Sequence, residues 1–348
     1  MDKAALGAFY DRIAKQDMAP LWESLHVLVS QEPATPVAPV HWSYSEAIRP
    51  ALMESGNLIT AEEAERRVLI LENPGLKGQG AATNSLYAGM QLLLPGEVAP
   101  CHRHTQTALR FVIEGEGAYT SVDGERTPMS PGDMVITPQW TWHDHGNETD
   151  RPMVWLDGLD IPMVRFFGSS FAQGGNTAQQ PISRPVGDSR ARFASNLLPH
   201  GWERSRAGSP IFNYRYADTR PALATLARND TPDPHFGHRM RYIDPTTGGD
   251  AMPTMAAAIQ LLPQGFETRP TRSTDATIFV VVEGEGESRI GDETFAWQPH
   301  DVFVAPSWAW RSHSAKSEAV LFSFSDAGVQ RHCGLWRQEL ANPDKENV

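Results

Sequence analysis

The chain has 348 residues, 40% hydrophobic and 21% charged, which suits two ordinary domains and excludes wholesale disorder. Its 30 Lys and Arg against 42 Asp and Glu give a net charge of -12, which argues against binding to nucleic acid. The two cysteines, Cys101 and Cys333, are too few for a disulfide scaffold and fit a reducing compartment. We recognise no signal peptide or membrane span, so we expect a cytoplasmic protein without a membrane partner.

Residues 1–80 predict an N-terminal segment of helices and extended connections. Apolar side chains recur at helical spacing from Leu6 to Ile13. Thr60 and Glu63 have the spacing of a capping box. These elements are expected to pack around the rest of the chain.

The rest of the chain alternates between strand-rich and connecting segments. Short runs of β-branched and aromatic residues between glycine turns predict antiparallel strands in residues 81–167 and again in 251–330. Residues 168–250 predict a linker with connecting elements, because 168–184 is small, polar and aperiodic. Residues 331–348 are expected to form a C-terminal tail.

The two strand-rich segments are copies of one unit. The motif Glu-Gly-Glu-Gly at Glu114 recurs at Glu283, an offset of 169 residues. The motif Pro-x-Trp-x-Trp at Pro138 recurs at Pro306, an offset of 168 residues. Signatures that recur in the same order at nearly constant spacing indicate a duplicated β-domain.

The first copy carries two His-x-His pairs. His102 and His104 form one pair, and His143 and His145 form the other. Residues i and i+2 of a strand point to the same face, so each pair can reach a metal from one side. Closing the sheet into a barrel would add a third imidazole and leave open positions for exchangeable ligands.

These histidines belong to a pattern that resembles the two cupin motifs: Gly96, His102, His104 and Gly115, then Gly132, Pro138, His143 and Asn147. Ala108 and Leu109 stand where many cupins have a glutamate ligand, and Trp140 stands where a glycine is usual. In these departures, and over roughly Trp22 to Phe324, the chain resembles the gentisate 1,2-dioxygenases and their salicylate and 1-hydroxy-2-naphthoate relatives.

The resemblance implies an all-β-dominated bicupin, with two double-stranded β-helix (jelly-roll) barrels after an N-terminal helical segment. It implies Fe(II) held by His102, His104 and His143, and cleavage of gentisate with O2 to maleylpyruvate by a homotetramer. Salicylate or 1-hydroxy-2-naphthoate is the alternative substrate. A non-catalytic metal-binding bicupin and a cupin isomerase are alternatives of other classes.

The second copy predicts that metal binds in the first barrel only. At the positions equivalent to the three histidines it has Thr271, Ser273 and Arg311. The counterparts of Arg110 and Asp157, both charged candidates of the first copy, are Phe279 and Ser323. Residues that define the fold therefore recur in both copies, whereas the candidate chemical residues occur in the first copy only.

Three catalytic residues are expected around the metal: His145, Asp157 and Arg110. His145 is a fourth ligand, an acid/base or a core residue, and Asp157 either orients His145 or is a surface carboxylate. Arg110 shares the strand parity of the His102 pair, so it points into the barrel toward an anion if the strand is continuous. The alternative for Arg110 is an internal salt bridge.

The resemblance also implies substrate contacts, in which Arg110 is joined by Tyr87, Gln106, Arg66 and Gly89. For Tyr87 and Gly89 the alternative is core packing. Arg66 and its neighbour Arg67 supply a second cation for a carboxylate, or they are a solvated surface pair.

Two further residue types are expected to pack. Cys101 has the opposite parity to the histidines and points away from the metal. The tryptophans that recur in both copies are expected in the core: Trp140, Trp142, Trp308 and Trp310.

Overall fold

The computed structural model describes residues 2–342, which fall into two compact units, one ending at Thr35 and one beginning at Pro36. The helices are α1 (Lys3–Ala14), α2 (Leu21–Leu28), α3 (Arg49–Leu58), α4 (Ala61–Ala64), α5 (Ile161–Phe166), α6 (Asp188–Phe193), α7 (Tyr216–Asn229) and α8 (Ala327–His332). The first strands are β1 (Val40–Trp42), β2 (Val68–Ile70), β3 (Tyr87–Leu93), β4 (Val98–His104), β5 (Ala108–Glu114), β6 (Tyr119–Val122), β7 (Glu125–Pro128), β8 (Met134–Thr137), β9 (His143–Gly146) and β10 (Met153–Leu159). The remaining strands are β11 (Ala172–Gly174), β12 (Asn213–Tyr214), β13 (His238–Arg241), β14 (Ala256–Leu262), β15 (Thr271–Ser273), β16 (Thr277–Glu283), β17 (Gly286–Ile290), β18 (Glu293–Trp297), β19 (Val302–Ala305), β20 (Arg311–Ala315), β21 (Ala319–Ser325) and β22 (Gln338–Leu340).

The N-terminal unit contains α1 and α2, and its helical prediction is confirmed. The Asp2 carboxylate caps α1 by accepting from two backbone N–H groups of the first turn, at 3.0 and 3.2 Å. The Tyr10 hydroxyl donates to Glu23 at 2.7 Å and accepts from the Trp22 indole at 2.8 Å. In the larger unit, the predicted capping box of Thr60 begins α4.

The first barrel is built from two antiparallel sheets. The six-stranded sheet has the order β12-β8-β5-β10-β3-β2, and the five-stranded sheet has the order β11-β4-β9-β6-β7. The central strands β5 and β10 are buried along nearly their whole length, which accounts for their almost continuous apolar sequence.

The second barrel repeats this plan. Its sheets have the orders β1-β19-β16-β21-β14-β13 and β18-β17-β20-β15-β22. In each barrel, three edge strands come from segments outside the predicted β-units: β2, β11 and β12 in the first barrel, and β1, β13 and β22 in the second. Strands this short leave no periodic signal, yet they cover sheet edges that would otherwise be open.

The two six-stranded sheets share one hydrophobic core. Phe111 of the first barrel stacks on Phe322 of the second, with ring centroids 4.0 Å apart. Gly158 lies where a Cβ atom would come within 2.7 Å of the Phe324 ring, so its lack of a side chain allows the close approach.

Within residues 2–342, no helix has the length and apolar character needed to cross a membrane.

Candidate metal centre

Three imidazoles meet where two strands of the first barrel pair. His102 and His104 lie on β4, and His143 begins β9 directly opposite His102. The His143 ring centroid lies 4.0 Å from that of His102 and 4.8 Å from that of His104. One nitrogen from each ring lies within 4.8 Å of the other two, which is a compact donor set for one metal ion.

The backbone around these histidines orients their rings. In each ring, Nδ1 faces a backbone carbonyl two residues away, at 3.0 Å for His102, 3.0 Å for His104 and 2.8 Å for His143. When Nδ1–H donates to a carbonyl, Nε2 keeps the lone pair that a metal requires. The buried Nε2 of His143 has no hydrogen-bond partner among the described residues, so these residues fit a bound metal.

The environment keeps the three rings neutral. Burial lowers the pKa of His104 to about 4, and the charge of Arg110 acts in the same direction. Burial and the charge of Arg66 lower the pKa of His102. Burial and the neighbouring imidazoles hold the pKa of His143 well below its ordinary value. Neutral imidazole is the form that binds metals, so the site is ready for a cation at pH 7.

Arg110 and Asp157 face each other across β5 and β10. Arg110 Nε lies 3.3 Å from Asp157 Oδ1, which makes an ion pair, although this nitrogen has no hydrogen-bond partner among residues 2–342. Arg110 Nη1 donates to Thr137 at 2.7 Å, and the Trp155 indole donates to Asp157 at 3.1 Å. Burial raises the pKa of Asp157 to about 6, with Arg110 opposing the shift. Asp157 is therefore a buried carboxylate and not a surface one.

The parity argument for Arg110 was wrong in its premise. Residues 105–107 separate β4 from β5, and the two strands belong to different sheets. Arg110 still lies close enough to the metal cluster for its charge to lower the pKa of His104. Closure of the barrel, and not strand parity, brings the two together.

The neighbouring arginines Arg66 and Arg67 have different surroundings. Arg66 Nη2 lies against the His102 ring, 2.6 Å from Nδ1 and 2.9 Å from Nε2. Arg67 is buried and pairs with both carboxylate oxygens of Glu97, at 2.8 and 2.9 Å. It is therefore Arg66 that reaches the metal cluster, and neither residue is a freely solvated surface arginine.

Tyr87 and Gly89 lie on β3 beside Asp157. A Cβ atom at Gly89 would lie 2.5 Å from the Tyr87 hydroxyl oxygen and 2.6 Å from Cγ1 of Val68, so the glycine makes room for the tyrosine. Gly89 is paired directly with Asp157 across β10. Burial and the charge of Asp157 raise the pKa of Tyr87, which keeps its hydroxyl protonated.

His145 lies next to the metal cluster and outside it, with its ring centroid 5.7 Å from that of His143. Its Nδ1 lies 2.9 Å from Oγ1 of Thr120, and its buried Nε2 has no partner among the described residues. The expectation that Asp157 orients His145 was wrong, because Asp157 pairs with Arg110 and Thr120 occupies that position. Burial and the charge of Arg110 hold the pKa of His145 well below its ordinary value.

Two residues near β4 hold the strand in place. The Gln106 side chain donates to Ser170 at 2.7 Å, and its backbone carbonyl accepts the Nδ1 hydrogen bond of His104. Cys101 is buried, as expected of a packing residue.

The recurring tryptophans form arginine clamps, which corrects their prediction as core residues. The guanidinium of Arg103, between the two histidines of β4, lies 4.4 Å from the Trp140 ring centroid and 4.6 Å from that of Trp142. Both rings are only half-buried. Trp140 has a φ of 56°, in the left-handed region that favours glycine, the residue usual at this position in cupins. The backbone N–H of Trp140 donates to the carbonyl of His104 at 2.7 Å. The clamp thus links β4 to the loop before His143.

The comparisons with known proteins agree with this geometry. A cupin-domain family matches residues 89–159. The chain is 55% identical over 330 residues to gentisate 1,2 dioxygenase 1 of Aquipseudomonas alcaligenes, covering 95% of each chain. It is 38% identical to a gentisate 1,2-dioxygenase of a Ralstonia species, covering 94% of this chain and 92% of the relative. A crystal structure of a salicylate 1,2-dioxygenase from Pseudoaminobacter salicylatoxidans, with gentisate adducts, matches at a TM-score of 0.92 and 35% identity, covering 98% and 95% of the two chains.

The chain belongs to the gentisate and salicylate 1,2-dioxygenase family. The predicted family and bicupin fold are thereby confirmed, and the protein is a ring-cleaving dioxygenase.

One buried polar residue of this dioxygenase, Gln91, was not among the predicted site residues. Gln91 lies on β3, two residues after Gly89 and therefore on the same face of the strand. Its side chain is buried, and its amide nitrogen has no partner among the described residues. A polar residue within the apolar run Ala88 to Leu93 was the available signal.

The second barrel of the dioxygenase keeps the pairing and loses the donors. Thr271 lies opposite Arg311, as His102 lies opposite His143. His313 keeps a hydroxyl partner, because Oγ of Ser288 lies 2.7 Å from its Nδ1.

Proposed function

We propose that this dioxygenase cleaves gentisate with O2 between the carboxyl-bearing and hydroxyl-bearing carbons to give maleylpyruvate, and that its metal is Fe(II) held by His102, His104 and His143. The observation that supports this most directly is the set of three neutral imidazoles beside two arginines and a buried carboxylate. When bound, Fe(II) would supply the Lewis acidity and redox chemistry that join the aromatic ring to O2.

In this proposal, the arginines bind the anionic groups of the substrate. Arg110 keeps its ion pair with Asp157 and presents its remaining donors to the carboxylate. Arg66 moves off the His102 ring when Nε2 of that ring binds the metal, which frees its guanidinium for the same carboxylate. Both charges offset the acidic character of the chain at the site.

The protein also handles a proton and the para-hydroxyl group of gentisate. His145, with Nδ1 held by Thr120, exchanges a proton at Nε2 with the substrate hydroxyl. Tyr87 and Asp157 are the polar partners of the hydroxyl that salicylate and 1-hydroxy-2-naphthoate lack. Gly89 acts by making room for Tyr87. Gln106 acts near the substrate through the end of β4 that it holds.

The test is a side-by-side measurement of kcat/KM for gentisate, salicylate and 1-hydroxy-2-naphthoate with the iron-loaded protein. A buried donor left without a partner costs about 1 to 3 kcal/mol, so we expect gentisate to be preferred by at least about tenfold. Equal values for the three acids would overturn the substrate and leave the ring-cleaving site intact. Absence of O2 uptake with all three would instead support a non-catalytic bicupin.

The proposal includes one metal site per chain and a homotetramer. Metal analysis of the loaded protein should give at most about one iron per chain, because the second barrel offers no imidazole at the equivalent positions. Light scattering that returned the 38.4 kDa mass of a monomer would overturn the tetramer.

A further inference from the structure

The second barrel has a cavity at the position equivalent to the proposed substrate-binding site of the first barrel. Strand pairing sets Ala258 opposite Ser323 on β14 and β21, as it sets Gly89 opposite Asp157 on β3 and β10. Ala258 and Ser323 line a cavity of about 30 Å³ that also reaches Arg311. One water molecule needs about 10 to 15 Å³ of such space, so the cavity accepts a group of a few heavy atoms and not an aromatic acid.

Arginine side chains dominate the walls of this cavity: Arg239, Arg241, Arg311 and Arg331. Two of these arginines form ion pairs with the carboxylate of Asp250, which lies 3.6 Å from Arg241 and 2.9 Å from Arg331. Asp275 is the one carboxylate among the lining residues, and it is buried where it accepts from the Trp336 indole at 2.8 Å. The cavity therefore keeps an excess of positive charge.

Arg311 takes the place of the metal ligand His143. It is 7% exposed, and its Nη2 donates to Ser273, the counterpart of His104, at 3.0 Å. Its Nη1 is buried and has no hydrogen-bond partner in the described part of the chain. A buried guanidinium donor without an acceptor is unfavourable unless a ligand supplies one.

Arg239 approaches from the edge strand of the six-stranded sheet. It lies on β13, paired with Gln260, as Val68 on β2 is paired with Gln91 in the first barrel. Arg239 is exposed where it lines the cavity, its guanidinium lies 5.3 Å from the Phe236 ring centroid, and it forms no ion pair within residues 2–342.

We propose that this cavity binds a small carboxylate or inorganic oxyanion through Arg311 and Arg239. The planar guanidinium fork matches the two oxygens of such a group. At equivalent positions, the first barrel thus binds a cation through imidazoles and the second barrel binds an anion through guanidinium groups. The bound anion stabilises this barrel and takes no part in ring cleavage.

The direct test is crystallographic and uses bromide as a compact anion that scatters anomalously. Crystals of the metal-loaded protein soaked in bromide should show an anomalous peak between Nη1 of Arg311 and the Arg239 guanidinium. Soaks that add acetate or phosphate should remove it, and the anion that does so at lower concentration identifies the source as a carboxylate or an inorganic oxyanion. An anomalous difference map that shows bromide elsewhere in the crystal and none in this cavity would overturn the proposal.

The solution test compares Arg239→Gln with Arg289→Gln, an exposed arginine on β17 of the same barrel. The thermal midpoint of each variant is followed against acetate and against phosphate at constant ionic strength. We expect Arg239→Gln to weaken the apparent affinity at least about tenfold, or about 1.4 kcal/mol, and Arg289→Gln to leave it unchanged. Equal stabilisation of both variants and the wild type would overturn the site. Ring cleavage of gentisate should be unchanged in both, so this outcome is independent of the proposed function.

Discussion

The bond between Thr120 and His145 offers a sharp test of the proposed site, because the second barrel contains a related bond between Ser288 and His313 and, within residues 2–342, no second cluster of metal-binding side chains. Oγ1 of Thr120 lies 2.9 Å from Nδ1 of His145 and also donates to the thioether of Met129 at 3.3 Å. When Nδ1–H of His145 donates to Thr120, whose own proton is directed to Met129, Nε2 presents its lone pair to the site. Thr120→Val keeps the side-chain shape and removes this control.

The expected magnitude follows from the burial of the pair. Thr120 and His145 are both inaccessible to solvent, so Nδ1 finds no water in place of the lost hydroxyl. A buried polar group without a partner costs about 1 to 3 kcal/mol of unfolding free energy. Loss of a partner that orients a metal-bound imidazole costs about 10-fold to 100-fold in activity, and we expect a loss of this order for the neighbouring His145. Thr120→Val should show both losses.

The control is Ser288→Ala, which removes the hydroxyl that bonds to His313 in the second barrel and that also accepts from the Trp297 indole at 2.9 Å. We expect a fall in stability by chemical denaturation at least as large as that of Thr120→Val, because the Trp297 indole also loses its acceptor, with kcat/KM for gentisate unchanged. Thr120→Ser should restore most of the activity, since it returns the hydroxyl. Iron content of all three variants should match the wild type. If Ser288→Ala lost as much activity as Thr120→Val, the bond would serve stability alone and the role of His145 would be refuted.

Three further outcomes follow from the site. Because burial raises the pKa of Asp157 to about 6, the carboxylate that holds Arg110 is protonated below about pH 6, and kcat/KM should fall there. Asp157→Asn should have a low kcat/KM that does not change over this range, and a wild-type kcat/KM that stayed constant down to pH 5 would contradict this. Arg66→Gln should raise KM about tenfold or more with little change in unfolding free energy, whereas Arg67→Gln should lose stability, and the reverse pattern would contradict their assignment. Tyr87→Phe should lower the gentisate-to-salicylate ratio of kcat/KM about tenfold, and an unchanged ratio would remove Tyr87 from the para-hydroxyl site.

The meeting of His102, His104 and His143 could be predicted because the sequence information for it is local and repeated. His102 and His104 lie two residues apart on one strand, and a His-x-His pair needs no knowledge of the fold to predict a shared face. The duplication then supplied the comparison with Thr271 and Arg311, and strand pairing places these two opposite each other as the repeat requires. Turn glycines and strand composition likewise predicted the two barrels.

The residues around the cluster could not be predicted in the same way, because barrel closure decides them. Arg110 reaches the site from a different sheet, so no parity rule along β4 applies. Arg66 and Arg67 are adjacent, and only the position of Glu97, thirty residues later, separates their roles. Gln91 looks like one polar residue in an apolar strand, and only the structure shows that its amide nitrogen has no hydrogen-bond partner within residues 2–342.

The second barrel also bears on whether the three imidazoles are needed for folding. Thr271, Ser273 and Arg311 replace them there, and the sheets still form with the same register and the same left-handed tryptophan, φ 63° at Trp308. We therefore expect the double variant His102→Thr with His104→Ser, which installs the residues of the second barrel, to fold with a thermal midpoint close to that of metal-free wild type. It should bind no iron, because one imidazole and two hydroxyls are a poor donor set for that ion. Circular dichroism and metal analysis check both halves of the prediction. A variant that failed to fold while metal-free wild type folded would show that these histidines support the barrel as well as the metal.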